Sequence, residues 1–324
     1  MYKAFFGLKS KPFRLNPHLR FLFNSEAIQR AVNTLKYGLY QREGLVLLTG
    51  APGCGKSLLI QNITRRLPDA GIRVHTIATP RANGLSLLRQ ISSAFALPHH
   101  DSVDAAQLLQ ALQQYLLGEV EANRRILLVI DEAHNLDDDA LEVVRLISDM
   151  QSHGNLLLQI FLVAQPILRA RLATPSLEAL RQRFLVTDHI EGLTAEEVPQ
   201  YILKRMQQAG WTADDVPFDA EAITRIQQFS DGNPRKINIL CERLLTQAYV
   251  EEQSRISVAD VEATLNDMEE EWRSSDLPSG GSEAPASNRL RDIEQRISTL
   301  DASLNQISQV TNTILVRLDN LRQD

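Results

Sequence analysis

Apolar positions along the first two thirds of the chain follow two rhythms. Short, nearly unbroken apolar runs (GLVLLTG, RVHTIAT, RILLVID, LLLQIFLVA and FLVTDHI) punctuate residues 44–193. Between them lie stretches in which apolar residues return every three or four positions. Strands without polar alternation, separated by helices, predict a parallel sheet covered on both faces. Ahead of this block, residues 1–43 hold an aromatic- and proline-rich segment and then the helical pattern SEAIQRAVNTLKYGLYQ, with Ser25 as its expected N-cap. From 194 to 272 only the helical period remains, in AEEVPQYILKRMQQAG, DAEAITRIQQFSDG, PRKINILCERLLTQAYVEE and SVADVEATLNDMEEEW. Two of these finish at Gly210 and Gly232, where a helix C-cap is expected. The predicted class is α/β: a parallel sheet domain over 44–193 followed by an all-helical region.

The pattern then changes again. RSSDLPSGGSEAPAS has almost no large apolar residue and predicts a flexible linker over 273–287. Beyond it Leu290, Ile293, Ile297, Leu300, Leu304, Ile307, Ile314, Leu318 and Leu321 alternate spacings of three and four, with Thr311 as the single polar seam position. This predicts a coiled coil over 288–324, its Ile-rich seam leaning toward more than two strands.

Composition narrows the class. The chain has 324 residues and a formal net charge of -6, from 34 Lys+Arg against 40 Asp+Glu. That balance disfavours a protein whose whole surface coats nucleic acid. The two cysteines, Cys54 and Cys241, are too few for a disulfide framework. Lys3, Lys9 and Lys11 interrupt the opening apolar patch, so a signal peptide is not expected. No run reaches the roughly 20 apolar residues of a transmembrane helix. A cytoplasmic protein is expected, at most peripheral to an inner-membrane complex.

The chemistry gathers where the first strand run ends. GAPGCGKS fits G-x-x-x-x-G-K-[ST] through Gly50, Gly55, Lys56 and Ser57, with Ala51, Pro52, Gly53 and Cys54 between them and Leu58 following. Glycines let successive backbone N–H groups turn toward phosphates, and the following helix aims its positive end at them. Lys56 is placed to meet the β- and γ-phosphates of ATP, and Ser57 to hold Mg²⁺. Cys54 reads as a small filler. A second element is expected at another strand tip, and RILLVIDEAH supplies it: Asp131 as the metal-side acid and Glu132 as the base that orients the attacking water. Asp137 to Asp139 read as a helix start. DEAH also labels two-lobed helicases, but a single cradle followed by helices lacks their second sheet domain.

Taken in order, MYKAFFGLKSKPFRLNP, FLFNSEAIQRAVNTLKYGL, LTGAPGCGKS, LLVIDEAHNL, IFLVAQPIL, LRQRF and GNPRKIN resemble the AAA+ ATPases of the ExeA (general secretion pathway protein A) family over about residues 1–270. The resemblance implies a P-loop AAA+ domain with a helical lid. It implies Gln165 as the polar sensor near the γ-phosphate and Arg235 as the lid arginine. Arg183 is implied as the arginine finger entering a neighbouring subunit's site, with Arg181 the alternative and Arg169 and Arg171 completing a basic cluster. A homo-oligomer with ATP sites at its subunit interfaces follows. Family members acting in secretion commonly continue into a membrane span and an extracytoplasmic domain, where this chain has its linker and coiled coil.

The expected activity is therefore a Mg²⁺-dependent oligomeric ATPase that assembles or remodels a partner complex, with the coiled coil gripping a protein partner. The alternative is a nucleotide-gated scaffold with little turnover, of which a DNA-associated version is the less favoured. Elsewhere, His99 and His100 read as a loop pair, Lys9, Lys11 and Arg14 as a solvated face, and Phe5, Phe6 and Phe13 as anchors of the N-terminal segment, with adenine contact as their minor alternative.

Overall fold

The computed structural model describes residues 2–15, 19–42, 44–80, 83–97 and 103–276. The expected coiled coil, the linker from 277 onward and the His99–His100 pair lie outside the described residues. The predicted apolar runs form the strands β1 (Leu45–Gly50), β2 (Ile72–Ile77), β3 (Arg125–Ile130), β4 (Gln159–Ala164) and β5 (Phe184–Ile190). All pair in parallel in the order β2-β3-β4-β1-β5. A two-stranded hairpin, Gln151–Ser152 with Asn155–Leu156, precedes β4 and was not expected. Its strands are too short to show a period.

Burial explains why β1 and β4 lack alternation. Leu45 and Leu47 join one core with Leu87, Leu88 and Ile91. Val46 and Leu48 face the other way, against Ala31 and Leu35 of helix α1 (Glu26–Gln41). Successive residues on a strand point to opposite faces, so two cores make both sets apolar. Each such side chain contributes about 1.5–3 kcal/mol of burial. Ser25 caps α1 by accepting from the Ile28 N–H, as its position implied.

The lid contains α2 (Glu197–Gln208), α3 (Ala220–Ser230) and α4 (Pro234–Val250), and the first residues of a last helix, Val258–Asp276. That helix takes in residues 273–276, which were expected in the linker: a run of Ser and Asp does not by itself end a helix. Gly210 and Gly232 have left-handed φ of 107° and 66°, as helix-terminating glycines do. The N-terminal segment packs on this lid. The Phe13 ring meets Phe218 edge-on at 6.5 Å, the Tyr2 hydroxyl donates to Glu242 at 2.8 Å, and the Lys9 N–H donates to the Ala209 carbonyl at 2.7 Å.

Candidate nucleotide site

Parallel pairing sets the tips of β1, β3 and β4 side by side, with Thr49 opposite Ala164 and Ile130 opposite Leu162. Within the sheet domain every chemically loaded segment but one leaves the sheet at this edge. The glycine turn follows β1 and opens the helix Lys56–Thr64. Gly55 takes φ 98° as its N-cap, and Gly53 takes φ 86°. At Gly53 a side chain would also run into Cβ of Arg235 and come within 2.9 Å of its Cδ. The cradle thus touches the lid at a position only glycine fits.

Lys56 is buried, and its ammonium donates to the carbonyls of Gly50 at 2.8 Å and Ala51 at 3.0 Å. Cys54 is buried beside it. Burial pushes the thiol's pKa up, while Lys56 works in the other direction. A protonated thiol is a poor nucleophile, which agrees with a packing role.

Pro52, Gly53, Cys54, Gly55, Lys56, Ser57, Leu58, Glu132 and Arg235 line one cavity of about 310 Å³ between sheet and lid. Gly50 and Ala51 border it through their carbonyl bonds to Lys56. Asp131 and Gln165 follow the tips of β3 and β4 and are not among its lining residues. Asp131 accepts the Glu132 N–H at 2.8 Å through Oδ1. Glu132 has φ 52°, ψ 34°, an uncommon conformation for a residue with a β-carbon and one that clusters at functional sites. Gln165 precedes the short helix Pro166–Leu172. Asp137 caps the helix Asp138–Ser148 through the Ala140 N–H, so the acidic run is a helix start, as expected.

Arg183 is the exception. Its carbonyl accepts the Leu45 N–H, which places it at the amino edge of the sheet, beside the start of β1. It pairs with Asp149 at 2.9 Å, and Arg181 pairs with Glu178. Arg171 is drawn to Asp138 at 2.7 Å, so the arginines of this region do not act as one patch.

Several lining residues escaped the sequence reading. Phe21, Leu22, Phe23 and Tyr201 form the apolar wall of the cavity. Phe6 and Phe13 are buried elsewhere and Phe5 lies against Tyr249, so the adenine alternative for those three is corrected: the FLF run is the aromatic segment at the cavity. Arg14, read as solvated, also lines it, and Lys11 pairs with Glu242. Arg205 is buried against the Phe21 ring at 4.4 Å, and burial lowers its pKa. Asn233 does two jobs. Its Oδ1 accepts the Arg235 N–H at 3.0 Å as the N-cap of α4, and its Nδ2 donates to the Pro52 carbonyl at 2.9 Å. The Asn-Pro start of a helix was legible, but its second contact, to the cradle, was not.

Ser57 and Asp131 present a hydroxyl and a carboxylate. Among the described residues no cluster of three or more His, Cys, Asp or Glu side chains could hold a metal. An oxygen pair of this kind fits Mg²⁺, which takes one or two protein ligands and shares the rest of its shell with phosphate and water. Among the described residues no helix is long and apolar enough to cross a membrane.

Comparison with known proteins bears on the fold. Residues 39–172 match the AAA domain family AAA_22. The chain is 32% identical over 261 residues to general secretion pathway protein A of Aeromonas hydrophila, covering 81% of this chain and 47% of that protein. It therefore spans about half the length of that relative. Among solved structures it is similar to Cdc6p of Pyrobaculum aerophilum, with a TM-score of 0.56, 17% identity and coverage of 82% of this chain and 70% of that one. The Aeropyrum pernix ORC1 protein, solved in complex with DNA, gives a TM-score of 0.58 at 14% identity, covering 81% and 70%. At these identities the structures speak to the fold alone.

Proposed function

We propose, from the AAA domain match over residues 39–172 and the likeness to general secretion pathway protein A, that the chain is a Mg²⁺-dependent AAA+ ATPase working as an oligomer. The observation that carries the proposal is the convergence of cradle, Glu132 and Arg235 on one cavity between sheet and lid. The backbone N–H groups of the turn and the Lys56 ammonium would hold the triphosphate, and the apolar wall at Phe21, Phe23 and Tyr201 would take the base. Mg²⁺, held by Ser57 and Asp131, would neutralise charge on the β- and γ-phosphates. Glu132 would take the proton of the attacking water, with Gln165 and Arg235 meeting the γ-phosphoryl oxygens. Arg183 would act on an adjacent copy, where a finger supplied in trans is worth about 10³–10⁵ in rate.

Gly53 against Arg235 and Asn233 on Pro52 support a lid that moves with the state of the cradle. In this reading the cycle assembles or remodels a partner complex of secretion, pilus or exopolysaccharide type, and residues 288–324 recruit the partner. The test is phosphate release by the purified chain with Mg²⁺ and with chelator, in full length and lacking 288–324. Turnover that needs Mg²⁺ is expected, with partner capture lost in the shortened chain. ATP-dependent assembly without turnover would favour the gated scaffold. Absence of turnover at every concentration and with every partner tried would end the ATPase reading, and unchanged capture would remove the tail's role.

A further inference from the structure

The fourth residue of the D-E-A-H run has no part in the scheme above, yet it stands between two that do. After β3 the chain turns through Glu132 in its left-handed conformation and a single 3-10 turn, Ala133–Asn135. This returns the His134 ring between the tips of β3 and β4. Its Nδ1 accepts the main-chain N–H of Gln165 at 3.4 Å, and its Nε2 lies 3.4 Å from Oε2 of Glu132. The imidazole is 12% exposed, against 40% for the glutamate side chain. Arg171 pins the turn by donating to the carbonyls of His134 at 3.3 Å and Leu136 at 2.7 Å.

A backbone N–H can only donate, so Nδ1 must be the unprotonated nitrogen. In the neutral ring the proton then sits on Nε2, the nitrogen 3.4 Å from the Glu132 carboxylate. We propose that His134 is a positioning residue: it holds the Glu132 carboxylate in its working orientation and ties that orientation to the backbone of Gln165. A shift of residue 165 on meeting the γ-phosphate moves the ring, and the ring moves the carboxylate. The link is short because β3 and β4 are neighbours in the sheet. The inference rests on reading Glu132 as the base.

The test is a steady-state series on the full chain with His134→Ala, His134→Gln, His134→Asn and Glu132→Gln. Gln places an N–H donor where Nε2 stood, while Asn keeps an acceptor for the Gln165 N–H and does not reach Glu132. His134→Ala is expected to lower kcat about 10- to 100-fold, the range typical of groups that orient a ligating or reacting side chain, with KM for ATP within about twofold. His134→Gln should recover most of the loss and His134→Asn little. A merely structural histidine would not divide the two amides in this way, and they decide the matter even if the alanine variant fails to fold. Wild-type kcat in His134→Ala with an inactive Glu132→Gln, or equal recovery by both amides, overturns the inference. Wild-type turnover in Glu132→Gln would instead remove the role given to Glu132.

Discussion

The two ends of the sheet are built differently. At the carboxyl edge the cradle, Glu132 and the lid enclose a cavity, and Lys56 and Cys54 are buried. At the amino edge Arg183 is 46% exposed and pairs with Asp149, which has no other role in the site. Five residue steps of β1 separate the edges, about 17 Å at roughly 3.3 Å per residue. A guanidinium at one edge cannot meet a phosphate bound at the other in the same protomer. If Arg183 is the finger, as proposed, it therefore serves the cradle of a second copy.

Mixing variants is the strongest way to break that comparison. Arg183→Ala should keep nucleotide affinity and lose about 10³–10⁵ in turnover, whereas Arg181→Ala should lose little. Lys56→Ala spoils the cradle and keeps the arginine. Phosphate release should return when the two inactive proteins, Arg183→Ala and Lys56→Ala, are combined, since the first offers an intact cradle and the second an intact finger. Mixtures that assemble and stay inactive would refute action in trans.

Alanine at a glycine of each edge sharpens the contrast. Gly53 and Gly154 both have positive φ, 86° and 79°. An added β-carbon meets Arg235 at the first and nothing within 4 Å at the second. Strain of this kind costs about 1–3 kcal/mol. At Gly53→Ala it should appear as roughly 10- to 100-fold weaker ATP binding by fluorescence titration, because cradle and lid must separate. Gly154→Ala should lower only stability. Equal affinities in the two variants would show that the lid contact does not shape the cradle.

The smallest effect concerns Asp149→Asn. A pair as open as Arg183–Asp149 is worth about 0–1 kcal/mol, so urea unfolding should shift by less than about 1 kcal/mol with turnover retained. Asp149 also pairs with Arg145 at 2.9 Å, so a loss several times larger that is shared by Arg183→Ala would make Arg183 a residue of the fold and weaken its assignment as a finger.

The five strands, the helical lid and the cradle were legible in the sequence because each is written in local pattern. An apolar run buried on two faces, a 3.6-residue period and a glycine turn between strand and helix need no distant partner to be recognised. Asp131 and Glu132 were legible for the same reason: a strand tip can be read from the strand. The hairpin at 151–156, the seating of the N-terminal segment on the lid, and the contacts of Asn233, Phe21, Arg205 and His134 were decided only by the tertiary structure. These are meetings of segments far apart in the chain, or of neighbouring strand tips whose order no local pattern encodes. The sheet order set Glu132 beside Gln165 with an imidazole between them. It also sent Arg183 to the opposite edge, because parallel strands collect everything that follows them at one end and everything that precedes them at the other.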